Sequence, residues 1–175
     1  AGDLKALNDS RKELTKDGVE EAIRQVLETG RRSERVLVIY LPDCHESIAG
    51  IIAGKVKERF YRPTIVLTDA EEGVKGSGRS IPGYHMFEEL CKVGELFTKF
   101  GGHPMAAGMS LPKENIQKLR RQLNDNCILT AEDMIEKLSI DIAMPLQYIS
   151  EEFIEELKVL EPFGNGNSKP LFAER

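Results

Sequence analysis

Two short stretches of the chain place glycine beside hydroxyl, guanidinium and imidazole groups, and chemistry could sit there. The first, Lys75-Gly76-Ser77-Gly78-Arg79-Ser80, alternates glycine with a hydroxyl or a cation. Glycine inside an extended segment weakens it unless a ligand or another backbone must come close. Backbone N–H groups, the Ser77 and Ser80 hydroxyls and the Arg79 guanidinium together have the parts of a phosphate cradle. The spacing matches neither the P-loop nor the dinucleotide-binding fingerprint. A bulged edge strand carrying an exposed arginine fits the same residues. The second stretch is Gly101-Gly102-His103-Pro104-Met105-Ala106-Ala107-Gly108. Paired glycines can hold the His103 imidazole at the mouth of a cleft, where it could hydrogen-bond a phosphate oxygen or act as an acid. A tight turn whose histidine caps a helix end also fits.

Other reactive groups are scattered. His45 follows Asp43-Cys44 at the predicted carboxyl end of a strand, where ligands bind in open α/β sheets. A plain surface-turn histidine accounts for it as well. Asp43, His45 and Glu46 lie too close in sequence to form an independent metal-ligand set, and no metal site is predicted in this chain. His85, beside Pro82-Gly83, reads as a solvent-exposed turn residue. Cys44, Cys91 and Cys127 are odd in number and widely spaced, which fits neither a disulfide framework nor a zinc site and suggests free thiols in a reducing compartment. No clustered Asp/His pattern able to hold two metal ions is visible, and no G-x-S-x-G. By themselves the residues describe a binding domain.

The elements that must position these groups follow from hydrophobic spacing. Leu4, Leu7, Leu14, Val19, Ala22, Ile23, Val26 and Leu27 recur every three or four residues, predicting an amphipathic helix that stops at Gly30. Gly18 weakens its middle. Val36 to Leu41 predicts a buried strand, Ile48 to Phe60 a helix, and Thr64 to Thr68 a second buried strand, together a βαβ unit with parallel pairing. The small residues Gly50, Ala53 and Gly54 would let that helix approach a sheet closely. Val74 to Ser80 is extended, Tyr84 to Phe100 mostly helical, Met105 to Leu111 a strand and Lys113 to Asn126 a helix. Ser139 to Met144 alternates as a late strand. Ser150 caps a last helix running to Leu160. A Gly/Asn/Pro loop follows, and Leu171-Phe172-Ala173 opens another apolar strand.

Charge narrows the search further. The chain of 175 residues carries a formal net charge of -5, which speaks against gripping nucleic acid with its whole surface. Residues 125–161 hold ten acids against Lys137 and Lys158, so an anion site belongs in the first two-thirds of the chain. No run approaches the roughly 20 apolar residues that span a bilayer. The polar start from Ala1 to Leu14 is unlike a secretory signal, and a cytoplasmic location is expected.

Taken together, the motifs resemble the DHH-associated domain of the DHH phosphoesterase superfamily, in the form found in the RecJ family of 5′-to-3′ single-strand exonucleases. The matching pieces are His45-Glu46-Ser47-Ile48-Ala49-Gly50-Ile51, Arg62-Pro63-Thr64-Ile65-Val66-Leu67, Gly76-Ser77-Gly78-Arg79-Ser80-Ile81-Pro82-Gly83 and Phe100 to Gly108. Leu7-Asn8 with Arg11 resembles the exit from that family's linking helix. Leu160-Glu161-Pro162-Phe163-Gly164 with Gly166-Asn167 resembles its entry into an oligonucleotide-binding fold. One departure stands out: the family usually has tryptophan where this chain has Cys44, so any stacking by that residue is not carried over.

The resemblance implies an α/β fold with a central mixed, partly parallel sheet flanked by helices, a long N-terminal helix and the start of an OB-type fold. It divides the chain into a linker helix over 1–30, a DHH-associated substrate-binding domain over 31–128 and an extension over 129–175. It further implies a partner DHH domain on the same polypeptide, which binds two manganese or magnesium ions while this region holds single-stranded DNA. Ser77 and Arg79 would bind the terminal 5′-phosphate with help from Arg11, and Gly78, Ser80 and His45 would join them in binding the substrate. Gly101, Gly102 and the catalytic candidate His103 would face the phosphate near the metals. Repair or replication proteins are possible further partners. Three other assignments stay open: a smaller DHH phosphodiesterase acting on short RNA or cyclic dinucleotides, a catalytically inactive scaffold of the same family, and the related domain of alanyl-tRNA editing proteins.

Overall fold

The computed structural model describes residues 2–174, with the side chains of residues 2–4, 6 and 7 outside the description. Leu4 and Leu7 of the predicted helical stripe therefore lie outside the described side chains. Two compact units are present, Ala1–Ile135 and Glu136–Arg175. No helix among the described residues is long and apolar enough to cross a membrane.

The first unit is built on a five-stranded sheet in the order β1-β2-β3-β5-β4. Its strands are β1 (Leu37–Tyr40), β2 (Thr64–Asp69), β3 (Val74–Arg79), β4 (Lys99–His103) and β5 (Ala106–Leu111). β1 and β2 run parallel, joined by the helix α2 (Glu46–Phe60), and every other pairing is antiparallel. The continuous apolar runs of β1 and β2 are explained by burial on both faces, as side chains alternate sides along a strand. Leu37, Ile39 and Val66 pack with Ile48, Ile52 and Val56 of α2 and with Ala22 and Val26 of α1 (Gly2–Glu28). Val36, Val38, Ile65 and Leu67 face the other way, onto Met86 and Leu90 of α3 (Met86–Cys91) and Leu119 and Leu123 of α4 (Ile116–Asn126).

Gly18 does more than weaken α1. A Cβ placed there would lie 2.5 Å from Ile52 Cδ1, so the bare glycine lets the helices close over a fully buried isoleucine. Glycine in a helix interior costs about 1 kcal/mol relative to alanine, and burying an isoleucine contributes about 1.5–3 kcal/mol. Packing wins over propensity. At the far edge, β1 has a neighbour on one side only, and α4 covers the other. Buried Arg120 donates from Nε and Nη2 to Val38 O at 3.1 and 2.7 Å, and the Asn124 amide donates to Val36 O at 2.8 Å while accepting from the backbone N–H groups of Arg35 and Val36. A sheet edge that could otherwise recruit another strand is thus closed by side chains. Burial pushes the Arg120 guanidinium below its usual range.

Two sequence expectations need correction. The stretch from Tyr84 to Phe100 is helical only over Met86–Cys91, followed by a short 3-10 turn at Gly94–Leu96, and Phe100 belongs to β4. Its apolar residues Val93, Leu96, Phe97 and Phe100 do face the core, but from a turn and a strand. The late strand predicted over Ser139–Met144 is only β6 (Ile142–Ala143).

In the second unit β6 pairs in parallel with β7 (Phe172–Ala173). Ser150 caps α5 (Glu151–Leu157) as predicted, its Oγ accepting from Phe153 N at 3.1 Å. Phe153 meets Phe172 edge-on with centroids 5.5 Å apart.

Candidate nucleic-acid interface

Antiparallel pairing sorts the two glycine-rich stretches into faces, because directly opposed residues project to the same side. Across β3, β5 and β4 the register gives three rows: Arg79 with Ala106 and His103, Ser77 with Gly108 and Gly101, and Lys75 with Ser110 and Lys99. All three rows lie on the face that carries α2, since Gly50 of α2 sits against both Ser77 and Arg79.

α2 covers this face only as far as β3. Gly108 belongs to an interior strand and is nonetheless exposed, as is Gly101 beside it. A Cβ on either would meet nothing within 4 Å. On the opposite face the neighbouring residues Ala107 and Met109 are buried. The result is a bare glycine floor bordered by a guanidinium, an imidazole, a hydroxyl and lysines.

Arg79 is half-buried. Among the described residues it makes no ion pair, and its hydrogen bond runs from Nη1 to Gly78 O at 2.8 Å. The half-buried Ser77 hydroxyl has no hydrogen-bond partner among the described residues. Lys75 is paired with Glu46 at 3.1 Å, but both side chains are more than half exposed, so solvent screening leaves the pair weak. His103 is exposed, and its Nδ1 accepts from Met105 N at 3.4 Å across the β4–β5 turn. In the neutral ring that contact leaves the proton on Nε2, available as a donor.

The structure separates these residues from others in the same motifs. Gly78 and Ser80 face away from the open side of the sheet. Gly78 is buried, with Met86 Sδ 3.1 Å from where its Cβ would be. Ser80 is 1% exposed and donates from Oγ to Tyr84 O at 2.6 Å. Gly102 pairs with Ala107, and a Cβ on it would come within 2.4 Å of Ala106 O, so its smallness serves the hairpin itself. The backbone amides along β3 are not open to a ligand. β3 is interior and paired in unbroken register with β2 and β5, which commits its amides to the ladders and excludes the bulged-edge alternative. Gly101 to His103 form a strand rather than a helix-capping turn.

His45 caps α2, its Nδ1 accepting from Ser47 N at 3.2 Å, and it lines a groove with Leu14, Asp17 and Cys44 rather than joining the rows. His85 caps α3 in the same manner, accepting from Glu88 N at 3.3 Å. That capping role was missed by the solvent-exposed reading. Arg11 is exposed on α1, and no hydrogen bond or ion pair links it to the sheet among the described residues. Lys99, Ser110, Gly108 and Gly50 were not singled out as site residues, because only the strand register and the helix placement bring them to this face. Among the described residues, no group of three His, Cys, Asp or Glu side chains is placed to hold a metal ion.

Comparison with known proteins agrees with this architecture. The DHHA1 domain model matches residues 33–128, and the RecJ OB domain model matches residues 140–175. The single-stranded-DNA-specific exonuclease RecJ of Bacillus subtilis is 39% identical over 174 residues, covering 97% of this chain and 22% of that protein. The enzyme of the same name from Salmonella typhimurium is 34% identical, covering 100% of this chain and 32% of its own length. The chain therefore spans a third or less of these relatives. A crystal structure of RecJ in complex with Mg2+ from Thermus thermophilus superposes with a TM-score of 0.84 over 98% of this chain and 26% of that one, at 24% identity, and shares its fold. The chain belongs to the DHHA1 domain family, in the form that RecJ-type single-stranded-DNA-specific exonucleases carry, with a RecJ OB domain following.

Proposed function

We propose that this chain is the strand-holding wall of a 5′-to-3′ single-stranded-DNA exonuclease, with Arg79 and Ser77 receiving the terminal 5′-phosphate. The observation that carries this reading is the half-buried Arg79 guanidinium, which has no carboxylate partner among the described residues and stands beside an open glycine floor. A partly desolvated cation without a counter-ion favours an incoming anion. A terminal phosphate monoester carries about −1.5 to −2 charge at neutral pH, against −1 for an internal phosphodiester, so the strand end is preferred. The planar fork of arginine suits two phosphate oxygens at once.

The floor determines what can approach. With no side chain on Gly101 or Gly108, a sugar-phosphate backbone can lie against the strands. His103 stands two strands from Arg79 in the same row, a Cα separation of about 10 Å that two converging side chains can close around one phosphate. It can donate from Nε2 to a phosphate oxygen, or act as an acid there. Gly101 contributes room, and His45 and Arg11 stand off the rows as outer contacts at most.

The family implies manganese or magnesium, and the donors of this chain do not fit a two-metal centre, as no suitable cluster occurs among the described residues. Hydrolysis therefore falls, on this reading, to a DHH domain of the same polypeptide outside this chain. The test is Arg79→Ala in the complete enzyme. Preference for 5′-phosphorylated over 5′-hydroxyl strands should fall about tenfold, the value of one lost charge-assisted contact. An unchanged preference would mean that the phosphate site lies elsewhere.

A further inference from the structure

The guanidinium of Arg79 is wedged. Nη1 is tied to Gly78 O, and Nη2 lies 2.6 Å from where a Cβ on Gly50 would stand, with Arg79 Cζ at 3.3 Å and Ser77 Cβ at 3.5 Å. Real Cβ atoms essentially never come within 3.0 Å of another heavy atom, so any side chain at position 50 must displace the guanidinium or lift α2 off the sheet. Gly50 sits inside α2, where glycine is a poor helix former. Gly54, one turn further along the same helix, has nothing within 4 Å. Helix chemistry alone therefore does not account for Gly50. The two atoms nearest that space belong to the guanidinium of Arg79, with Ser77 Cβ next at 3.5 Å.

We infer that Gly50 is a positioning residue for phosphate recognition: the bare surface of α2 is the seat on which the Arg79 fork is held before a ligand arrives. This rests on the reading of Arg79 as the phosphate-binding group. A long flexible side chain loses rotamer freedom when it binds, and a side chain already held loses less. A methyl group at position 50 turns the fixed fork into a mobile one, or re-aims it away from the row it shares with His103.

The experiment compares the unsubstituted chain with Gly50→Ala, Gly54→Ala and Arg79→Ala by NMR. It reads the Arg79 Nε–H resonance without ligand, and the affinity ratio for a short oligothymidylate with a 5′-phosphate against a 5′-hydroxyl. The expected result is a shifted or broadened Arg79 signal in Gly50→Ala with a ratio lowered about tenfold, and neither change in Gly54→Ala. Both alanines favour the helix, so a thermal midpoint that holds or rises while phosphate discrimination falls separates positioning from folding. If Gly50→Ala leaves signal and ratio intact while Arg79→Ala abolishes the ratio, the inference is wrong and the phosphate site stands. If Arg79→Ala itself leaves the ratio unchanged, the site reading fails and takes the inference with it. Should Gly50→Ala not fold, the double variant with Arg79→Ala decides: recovered folding locates the clash at Arg79, and continued failure overturns the inference.

Discussion

Ser77 of β3 and Gly108 of β5 are directly opposed, so the serine hydroxyl borders an opening in the middle of the sheet rather than another side chain. In a sheet packed on both faces that position would be filled and buried. Here it is exposed, and glycine stands where a branched residue would pair better.

Gly108→Val should accordingly separate stability from binding. Its Cβ meets nothing within 4 Å and its backbone is ordinary strand, so the fold accepts valine with a change within about 0.5 kcal/mol. The isopropyl group would stand on the floor between Ser77 and Gly101, and oligonucleotide affinity should fall about tenfold or more. Denaturant melts and a binding titration on the same sample check the two halves. A valine variant that binds normally would show that the strand does not cross this floor.

Ser80 makes the converse prediction. Its buried hydroxyl donates to Tyr84 O and holds the turn leading into α3. Ser80→Ala leaves that carbonyl short of a partner and should cost about 1–2 kcal/mol, with oligonucleotide binding unchanged. A loss of phosphate preference without loss of stability would return Ser80 to the site.

The Tyr40–Asp69–Lys113 cluster closes the far end of β2 and gives a pH dependence. The Tyr40 hydroxyl donates to Asp69, Lys113 lies 3.3 Å away, and both hold the Asp69 carboxyl below its usual range. A carboxyl whose folded pKa is depressed adds stability above its unfolded pKa, about 3.9, and loses it as pH falls through the lower folded value. Asp69→Asn should therefore be less stable than the unsubstituted chain at neutral pH, and the gap should close in acid below the folded value. Urea melts across that range decide it, and a gap independent of pH would point to geometry rather than charge.

Much of this arrangement was legible in the sequence. The βαβ unit followed from the apolar runs around Ile39 and Val66, and the α5 cap from Ser150. The two glycine-rich stretches were legible from their residue types as separate candidates, joined only through the family resemblance. Face assignment was not, since Ser77 and Ser80 differ by three positions, and strand parity together with the end of β3 puts one in the open and the other under Tyr84. Phe100 was misread because apolar residues entering a core look alike in a helix, a turn or a strand over a short run. Gly50 was seen only as a small residue near a sheet. Its contact with Arg79 joins residues 29 positions apart, and no local pattern encodes it.

The central claim, that the glycine-floored face of β3, β5 and β4 holds a strand end, is tested most directly by amide NMR. This chain would be titrated with a short single-stranded oligonucleotide bearing a 5′-phosphate, and then with its 5′-hydroxyl counterpart. NMR detects binding even near millimolar strength, about 4 kcal/mol, which is what an isolated wall with few phosphate contacts should give. The account predicts shifts concentrated at Ser77, Arg79, Gly101, His103 and Gly108, larger with the phosphate and shrinking as salt is added. Shifts centred elsewhere, or equal for the two strands, would contradict it.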